Sequence, residues 1–187
     1  MTRNYNRARA IAALVVCLFL LAPVSVSAAP LTIKVRVTGL FSPDREADLR
    51  AILKQWPDCT LTSLDFDRAE AVFRFDPAQL FPQTKPEQII ARLDEKLRAA
   101  SNSTFGVKPP STTPRDKLKR IEIPVAGLDC KACCLAAYEI VANIDGVEQA
   151  TASFKEGRIT ALIDPQRTDR AKIEAVLKQR GVTLAQP

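Results

Sequence analysis

Residues 127–134 read G-L-D-C-K-A-C-C and hold three of the chain's five cysteines, Cys130, Cys133 and Cys134. Cys130 ends a loop and Cys133 opens the apolar-periodic segment after it. That spacing sets both sulfurs on one side of a first helical turn, within reach of a single ion. A helix start has free N–H groups and a partial positive charge, and both stabilise thiolates. Two thiolates near the surface make a low-coordinate site suited to Cu(I), Zn(II), Cd(II) or Hg(II). The same pair suits disulfide exchange, and a cysteine can also fill a core as a small apolar residue. Spacing alone leaves the three uses open.

Other chemistry is excluded more firmly. Histidine is absent and Met1 is the only methionine. Ser-His-Asp triads, Cys-His nucleophiles and mixed Cys/His zinc sites are therefore ruled out, as is thioether copper ligation beyond residue 1. Scattered carboxylates such as Asp65, Asp67, Asp94 and Glu95 read as solvated faces. No catalytic set is expected, so the chain reads as a non-enzyme.

The thiols need a strand to deliver them and a helix to carry them. A β run spans Lys119 to Ala126, a glycine turn follows, and a helix is predicted over Lys131–Asn143 with Ala137, Ile140, Val141 and Ile144 on one face. Strands near 148–154 and 158–163 flank a Lys155-Glu156-Gly157 turn signal. A helix over 169–180 and a short strand near 182–185 complete the unit.

The same unit is written earlier in the chain. Shifted by 88 residues, VTGL at 37–40 falls on VAGL at 125–128, Phe66 on Phe154, and Asp76-Pro77 on Asp164-Pro165. The first copy predicts strands at 31–38, 60–66, 69–75 and 104–108, with helices over 43–55 and 87–99. Ser42 is the expected N-cap of its first helix and Pro43 the N1 residue, with Trp56 on the apolar face. The β-α-β-β-α-β order predicts an α+β chain of two ferredoxin-like domains in tandem, the first lacking the CxxC. The expected domains are 29–107 and 119–187, joined by a Pro/Ser/Thr-rich linker at 108–118 that reads as semi-rigid. In the first copy Ser42 and Arg45 stand where the second has Cys130 and Cys133, so no metal is expected there by this route. Cys59 lies away from that loop and reads as a core or surface thiol.

Residues 1–28 read as a secretory signal peptide: Arg3, Arg7 and Arg9, an apolar run from Ile11 to Leu21, then Pro23 and the small-residue site Val26–Ala28. The expected location is secreted or periplasmic, with no membrane attachment after cleavage. Cys17 leaves with the leader. The formal charge of +6 falls to about +3 without those arginines, too mild to argue for nucleic acid. Hydrophobic residues make up 47% of the chain, enough for packed cores.

The stretch from Ile121 to Leu184 resembles the heavy-metal-associated domain of copper chaperones, metal-transporting P-type ATPases and periplasmic mercury-binding proteins. That family has a G-M-x-C-x-x-C loop where this chain has G-L-D-C-K-A-C, and Asp145-Gly146-Val147 also agrees. The resemblance implies Cys130 and Cys133 as the ligands of a soft metal ion (Zn, Cd, Hg or Cu(I)). It also implies a metal transporter or sensor domain as partner. Leu128 replaces the family's methionine and is expected to pack under the loop, being of similar volume. Asp129 is similar in position to a third ligand in relatives that handle zinc, cadmium or lead, and oxygen suits Zn(II) better than Cu(I); otherwise it is an exposed loop carboxylate. Cys134 lies roughly 100° around the helix from Cys133 and is a further candidate ligand, a resolving thiol or a small buried residue.

The expected function is capture or transfer of a soft metal ion outside the cytosol. One alternative is a thiol–disulfide oxidoreductase. Against it, Asp129 rather than an aromatic precedes Cys130, and the element order is not that of thioredoxin. The other is an interaction module whose cysteine pair is oxidised and inert.

Overall fold

The structure is a computed structural model and describes residues 29–185. The expected leader, with Cys17, lies outside the described residues. Among the described residues no helix is long and apolar enough to cross a membrane.

The first domain runs β1 (Leu31–Thr38), α1 (Arg45–Leu53), β2 (Cys59–Asp65), β3 (Glu70–Phe75), a single turn α2 (Pro77–Leu80), α3 (Ile89–Ala100) and β4 (Gly106–Lys108). Its antiparallel sheet has the order β2-β3-β1-β4. Alternation decides the faces: Val35 and Val37 of β1 and Phe73 and Phe75 of β3 point inward. Leu49 and Leu53 of α1 and Leu93 and Leu97 of α3 close over them at helical spacing. Cys59 is buried in this core, and Trp56 packs on its rim. Burial raises the Cys59 thiol to about 11, so it stays protonated.

The second domain runs β5 (Lys119–Pro124), α4 (Lys131–Ala142), β6 (Val147–Ser153), β7 (Arg158–Ile163) and α5 (Arg170–Gln179), with sheet order β5-β7-β6. Ala137 and Val141 of α4 and Ile173 and Leu177 of α5 pack on Ile121, Ile123, Ile159 and Ile163. The chain is α+β, two ferredoxin-like domains in tandem.

Four local features differ from the sequence pattern. Helix α1 starts at Arg45, two residues late, with Asp44 at the N-cap position making no side-chain cap. The Asp44 carboxylate instead takes the Ser42 hydroxyl at 2.5 Å and the Lys131 ammonium of the second domain. The strand expected at 182–185 reduces to one bridge, Val125 to Leu184, because neighbouring Pro124 has no N–H to extend a ladder. Its carbonyl still accepts from the Ala185 amide at 3.1 Å. Helix α2 arises from the Asp-Pro pair, where the Asp76 carboxylate accepts the Ala78 amide at 2.8 Å; Asp164 does the same for Gln166 at 2.9 Å. Asp94 is not merely solvated: it accepts the Val107 amide at 2.7 Å and ties β4 to α3.

The domains meet along α4 and β6. Phe41, from the loop after β1, joins the buried core of the second domain. Its carbonyl accepts the Ala152 amide at 2.9 Å and so occupies one free N–H of the β6 sheet edge. An irregularity in β6 between Val147 and Gln149 skips Glu148 out of the ladder. Glu148 then pairs with Arg36 of β1, its side chain only 6% exposed. The Gln149 side-chain amide donates to the Phe66 carbonyl at 2.7 Å.

Two aligned glycines make the turn after each first strand, Gly39 at φ +93° and Gly127 at φ +78°. Their surroundings are opposite. A Cβ at Gly39 would lie 2.2 Å from the Thr104 carbonyl oxygen, whereas one at Gly127 would meet nothing within 4 Å. Gly127→Ala should cost about 1–2 kcal/mol, the left-handed penalty alone. Gly39→Ala should cost clearly more, because backbone must also shift. Urea unfolding of both variants checks this, and equal midpoints would contradict the steric argument.

Candidate metal centre

The centre is built where β5 turns into α4. Leu128 is buried under the loop in the second core, as its volume predicts. Asp129 next to it is exposed. Cys130 has extended backbone, φ −148° and ψ 163°, and is the N-cap of α4. Its sulfur accepts the Cys133 amide at 3.1 Å, and its carbonyl accepts the Cys134 amide at 3.0 Å. A thiol thus does the work usually done by a Ser, Thr or Asp oxygen at this position.

This geometry grades the cysteines. Cys130 is exposed, Cys133 half-buried and Cys134 fully buried. The Cys133 side-chain and amide hydrogen bonds hold the Cys130 thiol below its ordinary value. The Cys133 thiol is pushed up, first by its hydrogen bond to Cys130 and then by burial. Burial raises Cys134 too. Cys130 is therefore the first to ionise, with Cys133 holding the shared proton.

Of the four residues singled out in the sequence, the fold brings Cys130 and Cys133 together at the surface. Asp129 stays on the exposed side of the loop, and Cys134 turns into the core beneath it. Among the described residues, no three Cys, Asp or Glu side chains gather in a cluster fit to hold a metal ion. The arrangement offers two sulfurs at a helix N-terminus, one of them held below its ordinary thiol value: the donor set of a soft, low-coordinate ion.

Two neighbours of the site, Phe154 and Lys131, have surroundings that the sequence does not give. Phe154, which aligns with the partly buried Phe66, is half exposed at the β6–β7 turn. Lys131, between the two thiols, pairs with Asp44 of the first domain. The repeat alignment marked Phe154 only as a pattern position, and no local signal marks a partner 87 residues away.

Reactivity should follow the grading. In the reduced folded protein, iodoacetamide should modify Cys130 first and Cys133 more slowly, leaving Cys134 and Cys59 untouched until the chain is unfolded. Peptide mass spectrometry of a time course reads this directly. Modification of Cys134 in step with Cys130 would overturn the burial assignment.

No family model matches the chain. A zinc-transporting ATPase from Synechocystis sp. is 31% identical over 75 residues, covering 40% of this chain but only 10% of the ATPase. The chain thus spans about a tenth of the length of that relative. A Haemophilus influenzae protein described as uncharacterized is 30% identical over 63 residues, 34% of this chain and 68% of that protein. Among solved structures, the N-terminal soluble domains of Bacillus subtilis CopA cover 83% of this chain and 92% of their own at 18% identity, TM-score 0.34. The N-terminal domain of a zinc(II) ATPase in its apo form is 31% identical over 37% of this chain and 66% of its own, TM-score 0.33. Oxidized MerP from Ralstonia metallidurans is 18% identical over 36% of this chain and 94% of its own, TM-score 0.35. With a relative matched over two thirds of its length and a Gly-x-x-Cys-x-x-Cys loop at the strand-to-helix turn, the chain belongs to the heavy-metal-associated domain family.

Proposed function

We propose that this chain is an exported metal-binding protein that captures one soft ion between Cys130 and Cys133 and passes it on by ligand exchange. The observation that carries the reading is the thiol N-cap: an exposed sulfur held by the Cys133 amide, with the second thiol one turn along. Export rests on the leader pattern of residues 1–28. The partner on this reading is a metal transporter or sensor domain that offers its own sulfur to the bound ion. No bond of a substrate is made or broken beyond metal–ligand bonds, so the activity is not enzymatic.

Binding displaces protons. Cys130 gives up its proton readily and Cys133 gives up the one it shares, so each ion bound releases up to two. Affinity therefore falls as pH falls, by about tenfold per unit for each proton displaced. Zinc is the first ion to try, given the similarity to a zinc-transporting ATPase, with Asp129 as the side chain able to add an oxygen. A pair of sulfurs alone suits Cu(I) or Hg(II) better. Cadmium lies between these two cases.

One observation favours a second reading. A lowered thiol beside a raised one is also the arrangement of a disulfide-exchange pair. Its reduction potential separates the two: a strongly oxidising value supports exchange chemistry.

Reduced, oxygen-free protein comprising residues 29–187 should bind one equivalent of Zn(II), Cu(I) or Hg(II) in native mass spectrometry. The Cys130→Ser/Cys133→Ser variant should lose it. Zn(II) affinity in Asp129→Asn should drop while Cu(I) affinity holds. Equal binding by the double variant would sink the proposal.

A further inference from the structure

The two loops after β1 and β5 occupy the same place in their domains, yet only one carries thiols. In the first domain Arg45 stands where Cys133 stands in the second. Its guanidinium carbon lies 5.2 Å from the Phe41 ring centroid and 4.8 Å from that of Phe105, with the side chain 15% exposed. A cation thus backs an aromatic ring at the position of the missing sulfur.

That ring is aimed at the other domain. Phe41 is buried against Tyr138 of α4, ring centroids 6.0 Å apart. Beside it the Gly39 amide donates to the Tyr138 hydroxyl at 2.8 Å in a buried setting. At the start of α4, Asp44 pairs with Lys131. At its end, the Lys108 ammonium donates to the Ala142 carbonyl at 3.1 Å, where a cation favours the helix dipole. The first domain therefore touches α4 at its first turn, its middle and its last turn. Within the twelve residues of α4, only the second domain's own core holds the opposite face.

We propose that the first domain is a splint for the thiol-bearing helix: its cysteine-free loop has exchanged metal binding for docking, and the docked loop fixes the turn that carries Cys130 and Cys133. The inference rests on the metal-binding reading above for its consequence, not for its geometry. With α4 held along its length, the Cys133 amide cannot swing away from the Cys130 sulfur, so the pair is set before an ion arrives. Residues that orient ligands in this way govern how firmly a metal is kept. Phe41 acts here as a positioning residue, one domain away from the ligands.

The test uses the whole chain. Phe41→Ala opens the dock, while Asp44→Asn/Lys108→Gln loosens both ends of α4 and leaves both cores packed. Amide hydrogen exchange is followed at Cys133 and Cys134 and, as a control, in β1 and β3. Zn(II) release to excess chelator is timed alongside. Phe41→Ala should speed exchange in the first turn of α4 and Zn(II) release, each about tenfold, with one ion still bound and β1 and β3 protected as before. Phe41→Leu should restore most of the loss. The double variant should move the same way by less, and it decides alone if Phe41→Ala does not fold. Exchange in α4 identical to that of the unaltered chain in both variants would overturn the splint. An unaltered chain that holds no Zn(II), Cu(I) or Hg(II) would overturn the metal reading instead, and the exchange data would still judge the splint.

Discussion

Phe41 belongs by sequence to one domain and by packing to the other. Each half of the chain has roughly 70–80 residues, a size at which a single core is modest. Lending one aromatic ring across the boundary enlarges the second core, and the rest follows from keeping that ring in place. Arg45 stacks behind it and the Phe41 carbonyl takes a β6 edge amide. Arg36 and Glu148 then close the rim as an ion pair with little water around it. Desolvation offsets much of the attraction in such a pair, so its net contribution to stability is small. Glu148 also meets Arg167 at 3.3 Å, so the carboxylate is shared between the first domain and the second domain's own surface.

The order of elements was legible because each rests on local periodicity. The inward faces of β3 and β7 and the helical-period faces of α3 and α4 follow from apolar spacing alone. Cys130 and Cys133 were legible because their spacing and their place at a strand-to-helix turn are local facts as well. The fate of Cys134 was only half written. A residue about 100° from Cys133 must face either solvent or core, and only the packed domain says core. The start of α1 was misplaced because Asp44, a good first-turn residue by type, is drawn to a lysine of the other domain.

The connector shows the same limit from another side. Its proline and serine content reads as a spacer, yet it is held near its start and at its middle. The Pro109 carbonyl accepts from Arg36 Nε at 3.0 Å, and the Thr113 hydroxyl donates to the Asp164 carboxylate at 2.9 Å. The partners lie 73 and 51 residues away. Composition describes what a segment does when nothing grips it, and these grips come from distant strands and turns. In the sequence Asp164 stands out only because the same Asp-Pro pair recurs at Asp76, and that recurrence says nothing of Thr113.

The buried position of Phe41 has a practical side. A second domain prepared alone, cut anywhere along the connector, would present an open apolar socket over Tyr138 and Ala152 on the flank of its thiol helix. Such a fragment would tend to pair with itself or with any aromatic side chain offered to it. In the intact chain the tether keeps the proper plug at high effective concentration. Properties measured on the fragment would then describe an unplugged socket, and its thiols would be compared with relatives on unequal terms.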